Sequence, residues 1–226
     1  MPGMVGSRFW RVVVLMLLGV LSAGCAPRSE AARDPAQWVV QWHSDFHDPG
    51  PWMPGGGPGL MASYTTQGYR LAGVLPQQAL WSLHPRQYAQ VRMTAQMRAD
   101  AAPGARGWYG LVCGFQGPDD YIALALGTDG TFAAWRATSQ GLQPLEPDSG
   151  PRAHAAVRDA PQPNALVVEC RKTGLRLWVN QALVFAADLP VPPGQVGMWI
   201  RTPATLPAAA WGVTVQHLGL WTWQRP

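Results

Sequence analysis

Val91-Arg-Met-Thr-Ala-Gln-Met-Arg98 is the stretch that decides the fold class. Val91, Met93, Ala95 and Met97 alternate with Arg92, Thr94, Gln96 and Arg98, so an extended chain puts one set on each face. A dry face backed by a wet one is what a strand in an antiparallel sheet requires. Outward from it the same kind of short run recurs. Tyr109–Phe115 and Tyr121–Leu126 are joined by a Gly117-Pro-Asp-Asp120 turn, and Gly127-Thr-Asp-Gly130 leads into Thr131–Arg136. Ala165–Cys170 and Leu175–Val179 flank Lys172-Thr-Gly174, and two more runs lie around Val196–Ile200 and Val213–Trp221. Turn-forming clusters roughly every 8–12 residues between such runs predict a sandwich or barrel. No segment sustains a helical period beyond about two turns, and 22 prolines oppose long helices. No internal repeat is found.

The N-terminus carries a different signal. Arg8 and Arg11 precede the apolar run Val12–Leu21, which is far short of the roughly 20 residues a membrane-spanning helix needs. It fits the core of a secretory signal. The run ends in Leu21-Ser22-Ala23-Gly24-Cys25, which resembles the lipobox of bacterial lipoproteins, with Ser22 where Leu is commoner. In that motif small residues admit the peptidase and the cysteine thiol receives the lipid. The expected organisation is a signal peptide over 1–24, a lipidated tether over 25–37 and one domain over 38–226. Residues 26–37 have no apolar period and contain two prolines, as a tether would. The expected location is extracytoplasmic, on a bacterial membrane, held through lipidated Cys25.

The chain carries 17 Lys and Arg against 13 Asp and Glu, and two of the 17, Arg8 and Arg11, leave with the signal. Without clustered basic residues this is no footprint for nucleic acid. In an exported chain the remaining cysteines, Cys113 and Cys170, point to a disulfide. Alternation places Cys170 with Leu166 and Val168, away from Glu169. Two separate buried thiols are the competing arrangement.

The order of the pieces resembles the LamG-like, concanavalin A-like jelly rolls of bacterial lipoproteins and kinase ectodomains. That group overlaps the domain named 3-keto-disaccharide hydrolase in some relatives. The stretches that carry the resemblance run from Asp45-Phe-His-Asp-Pro-Gly-Pro-Trp52 through Trp108–Cys113, Asp120-Tyr-Ile122 and Gly127–Phe132. They continue with Asn164–Cys170, Leu175–Asn180, Asp188 and Gly194–Met198. The resemblance implies an all-β, two-sheet antiparallel jelly-roll sandwich, a concave face that in many members binds glycans, and a cysteine pair at positions 113 and 170. It does not imply catalysis. One departure stands out: Asn180 is followed by Gln181 where Asn-Gly is usual. Gln tolerates a left-handed conformation poorly, so a different turn is expected there.

Chemistry-bearing clusters are sparse. A glycosidase needs two carboxyl groups flanking the scissile bond, and jelly-roll glucanases supply theirs from a Glu-x-Asp-x-x-Glu run. Glu30, Glu146 and Glu169 are the only glutamates, and none lies in such a run. Asp119 and Asp120 are adjacent and read as turn formers. No Gly-x-Ser-x-Gly elbow occurs. His43, Asp45, His47 and Asp48 lie close together, but metal sites in sandwiches draw ligands from separate loops and no further Cys or His pattern supports one here. No catalytic residue, metal or cofactor is expected.

The 12 tryptophans are the richest material for a binding site. Most are expected to fill the core, with Trp52, Trp108 and Trp199 there or at loop junctions. On Leu175–Asn180 the apolar face is Leu175, Leu177 and Val179, which puts Trp178 beside Arg176 and Asn180. An indole next to a cation and an amide can stack on a sugar's C–H face while its neighbours meet the hydroxyls. Trp135, sharing a face with Thr131 and Ala133, is a weaker candidate. The expected function is a non-catalytic envelope domain binding glycan or another envelope component. The alternative is a structural or protein-interaction domain without a sugar site, and a keto-sugar hydrolase or lyase is the third reading.

Overall fold

A computed structural model describes residues 37–48, 50–56, 58–101, 106–147, 150–206 and 210–224, with side chains left out at 54–56. The signal peptide, Cys25 and all of the tether except Gln37 lie outside the described residues. Gln37, expected to end the tether, opens the first strand.

Two eight-stranded antiparallel sheets face each other, and no helix occurs among the described residues. The first sheet runs β14 (Ala182–Ala187), β13 (Gly174–Val179), β12 (Asn164–Arg171), β6 (Val91–Ala99), β16 (Trp211–Gln224), β4 (Gly68–Gly73) and β3 (Leu60–Thr65), with β1 (Gln37–Ser44) also on β16. The second runs β10 (Gly141–Pro144), β9 (Thr131–Thr138), β8 (Asp120–Gly127), β7 (Trp108–Gly117), β15 (Gly194–Arg201), β5 (Ala79–Tyr88) and β2 (Met53–Gly56), with β11 (Arg152–Ala153) beside β9.

The period-two expectation holds in β6: Val91, Met93, Ala95, Met97 and Ala99 are buried while the residues between them are half-exposed. β12 pairs with it in unbroken register and β16 through a bulge between Val215 and His217, so Val168, Val215, Leu218 and Leu220 join the same dry face. Tyr109, Leu111, Ile122, Leu124, Met198 and Ile200 close the core from the second sheet.

The cysteine pair spans this core. Cys113 on β7 and Cys170 on β12 form a disulfide, with Cα atoms 6.6 Å apart, and both residues are buried. It joins one sheet to the other. The β13–β14 hairpin departs from expectation. It keeps a two-residue turn, because Val179 pairs with Ala182, and Asn180 (φ 48°) and Gln181 (φ 75°) both take the left-handed conformation. Positive φ at both central residues matches the right-handed twist of the flanking strands, and that fit outweighs the poor intrinsic preference of Gln.

Candidate functional site

The residues singled out in the sequence do not gather in one place. Trp178 and Arg176 lie on the outer face of the first sheet, whereas Trp135 lies on the outer face of the second. Trp178 is half-buried, and its cross-strand neighbours are Val167 and Leu183, the latter 49% exposed. Arg176 sits 3.9 Å from the Asp188 carboxylate. Asn180 is not beside them as alternation implied, because its left-handed backbone turns the side chain away at the strand end. Its Oδ1 accepts from Ala165 N (3.0 Å), and its Nδ2 donates to Ala156 O (2.7 Å) and Asn164 Oδ1 (2.8 Å). Every ordinary hydrogen-bonding direction of its amide nitrogen is used, so it has no donor left for a sugar hydroxyl.

Trp108 and Trp199 are buried in the core, as expected, but in its second part. Neither is in the space between the sheets. With Trp135 they belong to a separate apolar cluster on the outer face of the second sheet. Register lays that face out in rows. One row runs Trp81, Trp199, Gly110, Ala125, Ala133, and the next runs Leu83, Gly197, Val112, Ala123, Trp135. A third runs Ala79, Arg201, Trp108, Gly127. Bulky residues stand at the sides and small ones form the floor. The floor is constrained: a Cβ at Gly110 would run into the Leu124–Ala125 backbone, and one at Gly197 into that of Ser82 and Leu83.

The rings form a continuous chain over this floor. Trp108 meets Trp135 edge-on at 4.6 Å, and Trp135 meets Trp199 at 5.9 Å. Trp199 Nε1 reaches across β7 to donate to Tyr121 Oη at 3.2 Å. Tyr121 stacks on Phe115 at 5.5 Å, and Phe115 touches Trp81 at 5.0 Å. Edge-to-face and offset contacts of this kind suit the ring quadrupole. Trp199, Val112, Ala123, Ala125 and Ala133 on this side of the sheet have no exposed surface. Trp108, Trp135 and Trp199 are buried, but Trp81 at the end of the chain is half-buried.

Polar groups meet the aromatic chain at its margins. Arg201 is half-buried, directly opposite Ala79 and Trp108, one row from Trp81. Arg106 lies over the Trp108 ring at 5.8 Å and is paired to Asp129. Burial raises the Tyr121 hydroxyl's pKa, while the Trp199 hydrogen bond and the Arg201 charge oppose it. None of the row positions is an Asp or Glu. Alternation could not reveal this face, because β7, β8 and β9 are apolar at odd and even positions alike; β8 reads Tyr-Ile-Ala-Leu-Ala-Leu. Two-sided apolarity of that kind was the available signal.

The first sheet's outer side is more polar. An open cleft of about 610 Å³ is lined by Asp45, His47, Gln96, Arg98 and His217 among others. Asp45 and His47 are exposed, 3.8 Å apart, and a hydrogen bond from the His47 backbone lowers the Asp45 pKa. Among the described residues no three His, Cys, Asp or Glu are grouped as metal ligands would be.

No protein-family profile matches the chain, and no curated protein matches it. Solved structures do. A carbohydrate-binding module, CBM66, from Bacillus subtilis superposes with a TM-score of 0.59 at 12% identity, covering 75% of this chain and 94% of that one. A Bacillus licheniformis β-glucanase gives 0.56 at 12% identity, with 80% and 97% covered. Arcelin-5, a lectin-like defence protein from Phaseolus vulgaris, gives 0.56 at 10% identity, with 82% and 98% covered. At these identities the likeness is one of fold, and the chain adopts a jelly-roll sandwich of the concanavalin A type.

Proposed function

We propose that the chain is a carbohydrate-binding module of the bacterial envelope, held to a membrane through lipidated Cys25. Its ligand lies on the outer face of the second sheet. The observation that carries this reading is the half-buried Trp81, at the margin of an aromatic cluster whose Gly and Ala floor and central Trp199 are buried. A sugar presents apolar C–H faces beside hydroxyls. An indole fixed by Phe115 and Tyr121 can take the former, and Arg201 can donate to the latter. A sheet holds such a ring with little ordering cost, which matters because small ligands gain little energy per atom. The solved structures it resembles include a carbohydrate-binding module and a lectin-like protein.

The test uses the full-length chain in detergent on a glycan array. Trp81→Ala is expected to weaken the best hit roughly ten-fold, since an aromatic contact contributes about 0.5–1.5 kcal/mol beyond its area burial, and to leave Tm nearly unchanged. No binding by the wild type at millimolar glycan overturns the reading. The anchor is tested separately: intact mass of membrane-extracted protein should show residues 25–226 plus lipid, and an unmodified Cys25 rules it out.

A protein partner is the second reading, and Trp178 with its cross-strand neighbour Leu183 favours it. An indole between Val167 and an exposed leucine on the sheet's end strands offers apolar contact surface. Trp178→Ala on the same array distinguishes the two surfaces. Loss of glycan binding in that variant with Tm preserved moves the sugar site to the first sheet.

A further inference from the structure

Arg201 is the charged residue among the outward positions of the second sheet's rows. It closes β15 two residues after Trp199, and Ile200 between them is fully buried in the core. The side chain therefore leaves on the aromatic side of the sheet. Its charge opposes the rise that burial causes in the Tyr121 hydroxyl's pKa. The neighbouring cation is already neutralised, because Arg106 is paired with Asp129. Arg201 makes no hydrogen bond or ion pair with any described residue.

A half-buried guanidinium next to apolar rings has lost part of its hydration without gaining a counter-charge among the described residues. Its planar fork of donors fits a carboxylate in two parallel hydrogen bonds. A neutral sugar uses the donors but leaves the charge uncompensated. A sugar acid uses both. Trp81, diagonally adjacent on β5, is placed to take the pyranose face of the same residue.

We infer that this face recognises a uronic-acid polysaccharide, with Arg201 receiving the carboxylate of a sugar stacked on Trp81. The inference rests on the glycan-binding reading above and names its ligand class. It predicts binding that weakens as salt rises, because a half-exposed pair is screened over about 10 Å at 0.1 M.

The experiment titrates full-length protein in detergent with polygalacturonate, alginate and hyaluronate, and with the carboxyl-reduced form of each. The expected result is that at least one acidic polymer binds and its reduced form binds roughly ten-fold or more weakly, the scale of a lost charge-assisted hydrogen bond. Arg201→Gln should erase that difference with Tm preserved, and Arg201→Lys should retain part of it. Should Arg201→Gln lower Tm, Arg201→Lys and the salt dependence of the wild type carry the test. Equal binding of acidic and reduced polymers, or an acid preference that survives Arg201→Gln, overturns the inference and leaves the module a neutral-glycan binder. If no polymer in either form binds but neutral array glycans do, the acidic class is wrong. If nothing binds at all, the glycan reading falls with it.

Discussion

Asn180 donates through Nδ2 to Asn164 Oδ1 at 2.8 Å, across the end of the β12–β13 pair. Asn164 is fully buried and passes the link on: its Nδ2 donates to Tyr109 Oη (2.8 Å) and to Arg158 O (2.9 Å), and its Oδ1 also accepts from Arg158 N (3.0 Å). Tyr109 belongs to the second sheet, where burial pushes its hydroxyl pKa up to about 12. Two amides therefore tie a hairpin, the 154–163 loop and both sheets together. A buried network repays its desolvation only when every member is satisfied, and these two side chains meet that condition.

Asn180→Ala should accordingly destabilise the domain. It strands Ala165 N, Ala156 O and one lone pair of Asn164, and it puts an alanine at a φ of 48°. A loss of about 2–4 kcal/mol is expected, from unsatisfied polar groups plus the left-handed backbone. Chemical denaturation measures it. A change within about 0.5 kcal/mol, the range of ordinary surface substitutions, together with loss of glycan binding, would return Asn180 to the ligand site.

How much of this was legible beforehand differs by region. In β6, one face is dry and the other wet, so alternation located the strand, its buried residues and the direction of Cys170 on neighbouring β12. In β7 to β9 both faces are apolar, and period-two reading could not distinguish Trp135 or Trp199 outside the sandwich from Tyr109 inside it. Asn180 failed for another reason. Its position on a face was extrapolated through a residue whose φ is positive, and its partners Ala156 and Asn164 lie 24 and 16 positions away. No local pattern encodes those.

The Cys113–Cys170 bridge closes 57 residues and joins the two sheets. In the chain-entropy model a loop of this size stabilises by roughly 4 kcal/mol, an upper value because residual structure in the unfolded chain reduces it. The double variant Cys113→Ser/Cys170→Ser should therefore lose up to about 4 kcal/mol while keeping its far-ultraviolet β signature. Non-reducing peptide mapping of exported protein should recover the linked pair. Free, alkylatable thiols at both positions would instead mean two isolated core cysteines.

His84 makes stability depend on pH. Its Nδ1 accepts from the Arg86 backbone N–H at 3.3 Å and lies 2.9 Å from Tyr88 Oη, and Trp52 packs edge-on against the ring. A backbone N–H can only donate, so Nδ1 is unprotonated in the fold. Burial, helped by the Arg86 charge, lowers the pKa below the ordinary 6.5. The unfolded chain then binds the proton first as pH falls. The contribution of this site is complete above about pH 6.5 and is lost as pH drops from there through the lower folded value. Stability should decline from pH 7 to pH 5, and His84→Gln should flatten that decline. A slope unchanged in the variant would assign it to other histidines.

Gln181 is the position where a substitution should improve the fold. Its φ of 75° costs a side chain with a Cβ about 1–2 kcal/mol, while glycine pays no such penalty there. Glycine does raise the entropy of the unfolded chain, worth roughly 0.5–1 kcal/mol in the opposite direction. The conformational term is the larger, so Gln181→Gly should stabilise by about 0.5–1 kcal/mol. The substitution also follows Asn180 with the residue type that a turn with both φ positive prefers after an asparagine. Gln181 is exposed, so few contacts are lost. Gln181→Val provides the opposite sign, because a β-branched side chain suits this backbone region least. The two variants should bracket the wild type in denaturation midpoint at equal m-value. A Gly variant less stable than wild type would mean that the turn does not hold Gln181 in the left-handed conformation.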